Sequence, residues 1–223
     1  MSVVPDLPTY LAFCAAAVAL ILTPGPDTMY VLTRGVQSRD AGVRSAFGIA
    51  TGVLAHTAAA TLGLAALLRA APAAYQIVKY AGAVYLVYLG VQAIRNDEFG
   101  GTDGAGDGVA DATASGSDDS GGSGSADATG SFYRGVLVNA LNPKVALFFL
   151  AFLPGFAGSG PDAEVRMFLF GATYAVLTAV YLGGVAVASG RVGRTLTSAA
   201  ATSRLSWVGG GAMIVLGLAL AVE

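Results

Sequence analysis

The chain is predicted to be an all-α integral membrane protein, with six transmembrane helices forming two inverted three-helix repeats and helices 1 and 4 broken near the midplane. Three observations predict this. Hydrophobic residues make up 55% of the sequence and charged residues only 12%, against roughly a quarter charged in a soluble domain. The apolar residues fall into six blocks near the length of about 20 residues that spans a bilayer. Two of those blocks are interrupted by prolines next to a single charge, at Thr23-Pro24-Gly25-Pro26-Asp27 and at Asn142-Pro143-Lys144.

The first block covers 7–36 and contains the first break. A cleaved signal peptide is not expected there, because 1–10 has no Lys or Arg and includes Asp6, whereas such peptides begin with a basic region. Cys14 is the single cysteine, which excludes disulfides and Cys-based metal or dithiol chemistry within the chain. The second block, 46–68, holds the single histidine, His56; Gly48 and Gly52 precede it at four-residue steps and share its helical face. The third block is 73–94. An acidic segment follows, with eight Asp/Glu and no Lys or Arg between Asn96 and Ser131. Its Gly, Ser and Asp content buries too little apolar surface to order the chain, so it reads as a flexible linker. Asp103, Asp107 and Asp111 do not have the ligand spacing of a calcium loop. Blocks 132–154, 165–189 and 205–222 complete the set, giving domains of 1–94 and 132–223 about a linker at 95–131.

Positive charge sets the expected orientation. Eight arginines (34, 39, 44, 95, 134, 191, 194 and 204) flank the joints after helices 1, 3 and 5, while Arg69, Lys79 and Arg166 lie opposite. Basic joints face the cytoplasm, so the termini are expected outside and the acidic linker inside. The halves also match in register. Lys79-Tyr80-Ala81-Gly82 leading to Leu89-Gly90 parallels Ser206-Trp207-Val208-Gly209 leading to Leu216-Gly217, and Phe47-Gly48 parallels Phe170-Gly171. Aligning Pro26-Asp27 with Pro143-Lys144 makes the two charges counterparts. Three helices per half means that the second half enters from the other side, an architecture shared by many secondary transporters.

A broken helix leaves unpaired carbonyls at the end of its first half and unpaired N–H groups at the start of its second. Asn142-Pro143 suits an N-cap and first turn, and Pro26 can likewise open a second half-helix. Such N-termini favour a carboxylate, Lys144 adds a full positive charge, and Asp27 suits an ammonium. An α-amino acid carries both charges, so Pro24, Gly25, Pro26, Asp27, Asn142, Pro143 and Lys144 are the expected substrate-binding residues. Asn139 and Tyr30, one turn from the charges, are expected beside them. Asp27 and His56 are the candidates for proton coupling. Other readings stay open: Asp27 caps its helix and pairs with Lys144 for structure alone, His56 only hydrogen-bonds a neighbour, and Tyr30 only packs. Glycines 48, 52, 63, 82, 90, 209, 210, 211 and 217 read as close-packing positions.

No zinc-protease, nucleotide-loop or nucleophile–base pattern is present, so an enzyme is not expected and no cofactor is needed beyond an ion gradient, with protons favoured. Efflux of another small solute or a metal cation, or a membrane scaffold, are the alternatives. One carboxylate and one lysine suit a metal poorly.

The segments Thr23–Asp27, Phe47-Gly48-Ile49-Ala50-Thr51-Gly52, Lys79–Gly82 with Leu89-Gly90, and Asn139-Ala140-Leu141-Asn142-Pro143-Lys144 together resemble the lysine exporter superfamily, in its homoserine/threonine-resistance branch. The resemblance covers nearly the whole chain except the linker. It implies a six-helix exporter of small amino acids in the cytoplasmic membrane, exchanging them for protons; the electrical balance of Asp27 and Lys144 favours substrates with a neutral side chain. The implied partners are the amino-acid substrate and the lipid bilayer, without nucleic acid; a homo-oligomer is left open.

Overall fold

Two sharp bends organise the molecule. In the computed structural model, helix α1 (Leu7–Leu22) and helix α2 (Pro26–Gln37) meet at 56°, and helix α5 (Gly124–Ala140) and helix α6 (Pro143–Ala151) meet at 53°. The structure describes residues 5–64, 71–95, 124–158, 160–196 and 199–222. Most of the expected linker, the end of the second block and Arg69 lie outside these residues. The other helices are α3 (Arg39–Ala59), continued by a π-helical turn at Ala60–Leu64, then α4 (Pro72–Arg95), α7 (Leu153–Ala157), α8 (Ala163–Leu196) and α9 (Ala199–Val222). Among the described residues, by length and composition, three unbroken helices can cross a membrane, or up to five if each bent pair is one span; Trp207–Val222 in α9 is a shorter apolar stretch. The chain is an all-helical, multi-pass membrane protein.

Local chemistry explains where the helices begin and end. Asp6 caps α1 by accepting a hydrogen bond from the Thr9 amide at 3.3 Å. Pro26 and Pro143 each occupy the first helical position, where their missing N–H costs nothing. Two helices begin earlier than the apolar blocks suggest. Helix α3 starts at Arg39 rather than near 46, with Asp40 in its first turn bonded to Arg44 at 2.8 Å. Helix α5 starts at Gly124, eight residues before the expected 132, and its Ser131 is fully buried between neighbouring helices. After α6 the chain is stepped at Phe152, and Pro154 lies at the head of α7, which ends at Gly158 with φ +68°. Arg166 Nη1 caps the Ala157 carbonyl at 3.0 Å.

Glycines set how closely the helices approach. A Cβ on Gly48 would strike the Phe132 carbonyl oxygen, and one on Gly135 would lie 2.5 Å from the Ser45 carbonyl oxygen, so α3 and α5 pack backbone to backbone. Between α4 and α9, Gly90 and Gly210 do the same for each other's carbonyl, at 2.5 and 2.6 Å. Gly63 and Gly211 meet nothing within 4 Å, so the close-packing role expected of them is not there. Helix α3 also packs along α8, and α4 along α9. A buried aromatic cluster fills the space between α1, α6, α7 and α8. Phe13 lies at its centre, with ring centroids 4.5 Å from Phe170, 5.3 Å from Phe156 and 6.1 Å from Phe148.

Candidate substrate site at the crossed helix breaks

The two breaks face each other, and each supplies what the other lacks. Helix α1 ends at Leu22 with carbonyls that have no partner in their own helix. The Lys144 ammonium, at the head of α6, donates to two carbonyls there, Leu20 O at 3.1 Å and Thr23 O at 2.9 Å. In return Asp27, in the first turn of α2, accepts a hydrogen bond to Oδ2 from the Asn139 Nδ2 of α5 at 2.8 Å. Its other oxygen, Oδ1, is buried without a hydrogen-bond partner.

Asp27 and Lys144 therefore share a site without forming the ion pair that a purely structural reading of the breaks would need: no nitrogen–oxygen approach within 4.0 Å joins them. Each charge is occupied by polar groups of the opposite half instead.

The glycine and prolines shape this crossing. Gly25 is the N-cap of α2, in extended conformation and without a side chain to cap the following amides. A Cβ there would stand 3.2 Å from Lys144 Nζ, so only glycine lets the backbone come so close to the ammonium without a shift. The first turn of α2 thus opens beside a positive charge, an arrangement suited to an anion. Helix α6 differs, because Asn142 Oδ1 already accepts from the Lys144 amide at 3.0 Å. Pro24 and Pro143 are partly buried in the crossing, and Pro26 is exposed.

His56 bonds the same junction from α3. Its Nε2 lies 3.0 Å from the Asn139 carbonyl oxygen. A carbonyl can only accept, so Nε2 carries the proton in this contact. Gly52, one turn earlier, leaves room for Asn139, whose Cβ and Oδ1 would both be 2.9 Å from an added Cβ. The shared face of Gly48, Gly52 and His56 is thus the α3 face that seats α5. Tyr30 is directed away from the charges. Its hydroxyl donates to the Ser131 carbonyl at 3.4 Å, and Arg34 Nη2 donates to the Ser131 hydroxyl at 2.6 Å.

A cavity of about 20 Å³ lies between the breaks, lined by Asp27, Thr28, Lys144, Ile21, Val145, Tyr174, Thr178 and Leu182. It has room for about one water molecule and none for an amino acid, so the helices must part to admit one. Of its lining, only Asp27 and Lys144 were legible from the sequence as site residues. Tyr174, Thr178 and Leu182 stand on one face of α8 at four-residue intervals. A tyrosine and a threonine at that spacing inside an apolar block are the signal that would have pointed to them.

Comparison with known proteins agrees with this architecture. A family model described as LysE type translocator matches residues 18–223. A leucine efflux protein of Salmonella typhimurium is 27% identical over 178 residues, covering 78% of this chain and 75% of that protein. An uncharacterized membrane protein of Vibrio cholerae is 25% identical over 217 residues, 97% of this chain and 98% of its own. The membrane protein YrhP of Bacillus subtilis is 27% identical over 172 residues, 77% and 78% respectively. No solved structure matches.

Proposed function

We propose, for a chain that belongs to the LysE type translocator family, that it exports neutral aliphatic amino acids across the cytoplasmic membrane in exchange for protons. That the chain is an efflux translocator and not an enzyme follows from the family. The substrate and the coupling ion are the inference.

One observation carries the reading: a single cavity in which a carboxylate from one helix break and an ammonium from the other meet aliphatic walls. Asp27 Oδ1 is free to receive a substrate ammonium. Lys144 Nζ, beside the uncapped start of α2, suits the substrate carboxylate. Ile21, Val145 and Leu182 give the cavity aliphatic walls, and Thr28, Tyr174 and Thr178 add hydroxyls but no further charge to pair with a charged side chain. The leucine efflux protein among the relatives points to the same class. The two inverted halves and outside termini expected from the sequence support a site on the path between the two faces.

Proton exchange rests on Asp27. A carboxylate in an apolar interior costs less when protonated or when paired with a cation. Proton and substrate ammonium then compete for the same oxygen, and each can leave only when the other takes its place. His56 supports the junction by donating to a carbonyl and stands apart from that exchange.

Counterflow in proteoliposomes, with an amino-acid panel and an imposed pH gradient, tests the reading. Leucine-like substrates are expected to exchange best, with efflux driven by proton entry. Lysine or arginine as the preferred substrate, or transport indifferent to the pH gradient, would overturn it.

A further inference from the structure

Five described hydroxyls inside the spans satisfy themselves in one way, and Ser189 in a close variant, donating to the Ala186 carbonyl three residues back at 2.7 Å. Thr23, Thr51, Thr57 and Thr173 each donate to the carbonyl four residues back, at 2.8, 2.9, 2.9 and 2.9 Å. Ser45 does so too, to Ala41 at 2.8 Å. This is the cheapest solution for a hydroxyl in a helix surrounded by apolar matter. Thr178 departs from it. The residue is 4% exposed, it sits in the middle of α8, and its Oγ1 is buried without any hydrogen-bond partner. Thr61 is likewise unpaired, but it lies in the π-helical turn, where the four-residue register is lost.

A buried hydroxyl left unpaired costs on the order of 1–3 kcal/mol, while rotation onto its own helix carbonyl is open to any threonine. Thr178 instead leaves its hydroxyl unpaired, and the residue lines the cavity between the breaks. Asp27 lines the same cavity of about 20 Å³, and its Oδ1 is likewise buried without a partner. Two unpaired oxygens, one charged and one neutral, bound a space a few ångströms across. An ammonium, with three N–H donors, is the ligand chemistry that such a pair accepts.

The geometry points to Thr178 as a second ligand of the substrate ammonium, acting with Asp27 and fixing the amino group's direction. This rests on the proposed amino-acid transport and adds to it a residue from the fifth span, which the two helix breaks do not supply. Tyr174 and Leu182, one turn to either side, then place the substrate's carbon skeleton along α8.

The test compares Thr178→Val, which keeps the shape and removes the hydroxyl, with Thr178→Ser, which keeps the hydroxyl. Leucine counterflow is measured in proteoliposomes, together with its inhibition by the 2-hydroxy analogue of leucine, which has no ammonium and is read as a competitor. T178V is expected to raise the KM for leucine roughly 10- to 100-fold, the worth of one charge-assisted hydrogen bond. T178S is expected to restore it, and the hydroxy analogue is expected to be handled alike by wild type and T178V. An unchanged KM in T178V would overturn the assignment, leaving Thr178 no more than the seat of a structural water. An equal loss for both compounds, or a T178S protein as impaired as T178V, would overturn it as a packing effect. If T178V does not reach the membrane folded, Thr178→Ala, which demands less space, is read in its place by the same criteria. A wild-type protein that carries no amino acid defeats the transport reading and this one together, and is seen before any variant is compared.

Discussion

Replacing Lys144 by methionine and Asp27 by asparagine separates the roles of the two charges. Methionine keeps the unbranched stem of lysine and removes the ammonium. The Leu20 and Thr23 carbonyls, bonded at 3.1 and 2.9 Å, then lose their donor. A hydrogen bond to a charged group contributes about 1.5–3 kcal/mol, so the gross loss is about 3–6 kcal/mol. The variant no longer has to desolvate an ammonium, which recovers several kcal/mol. The net destabilisation is expected to be about 1–3 kcal/mol. Asp27 is different. It accepts one bond, from Asn139 at 2.8 Å, and the carbonyl of an asparagine accepts the same bond. The D27N protein is expected to stay within about 1 kcal/mol of wild type.

Thermal unfolding of purified protein, followed by loss of the monodisperse peak, measures the first effect, and counterflow measures the second. K144M should unfold at lower temperature, D27N near the wild-type temperature, and neither should transport. A D27N protein destabilised as much as K144M would refute the reasoning, since that equality belongs to a mutual ion pair. Full transport by D27N would refute the coupling role of the carboxylate.

Other substitutions probe the supports of the site. Gly52→Ala crowds Asn139, whose Cβ and Oδ1 would lie 2.9 Å from the new carbon, and is expected to cut leucine transport while leaving the protein folded; counterflow indistinguishable from wild type would show that Asn139 does not position Asp27. His56→Gln retains a donor for the Asn139 carbonyl, and transport should keep its dependence on pH; loss of that dependence would make the imidazole a proton carrier. Gly158→Ala forces a side chain onto a backbone at φ +68° and is expected to cost about 1–3 kcal/mol in thermal unfolding, with the KM for leucine unchanged, because the residue lies at the end of α7.

The helices and their breaks could be read in the sequence because hydrophobicity and proline act locally. Pro26 and Pro143 open second half-helices as their positions suggested, and Asn142 caps its helix as its side chain allows. Helix ends were less legible. Residues 39–45 and 124–131 are too polar to register as membrane blocks, yet they are helical, since a helix end depends on capping and charge pairs such as Asp40–Arg44. Partner choice was less legible still. Opposite charges at counterpart positions invite pairing with each other, but Lys144 reaches the carbonyls of α1 and Asp27 reaches Asn139. Those partners are fixed by the angle at which the breaks cross, and no local pattern encodes that angle. Thr178 was hard to read for a related reason: its spacing from Tyr174 is a weak signal where threonine is common, and the failure to bond its own backbone is what sets it apart.

The crossed bonding also constrains how the carrier opens. In the closed arrangement the carbonyls at the end of α1 depend on Lys144, the Asn139 carbonyl of α5 takes a bond from His56 beside the one from its own half's Asn142 amide, and Asp27 depends on Asn139. Parting the two halves breaks the bonds between them at once and leaves polar backbone in an apolar interior, which is unfavourable until something replaces the lost partners. Water from one face can replace the carbonyl contacts, but it does not match opposite charges fixed on opposite halves. A zwitterion does, since its ammonium satisfies Asp27 while its carboxylate draws Lys144 away from the carbonyls. On this reading the same molecule that is carried also stabilises the opened crossing. A solute with only one of the two charges satisfies one half and leaves the other exposed. Leucine is therefore expected to exchange, whereas its decarboxylated amine and its deaminated acid, though apolar and smaller, are expected to bind weakly and not to exchange. Counterflow of either analogue at the leucine rate would mean that the breaks open independently, and the reciprocal contacts would then be incidental to transport.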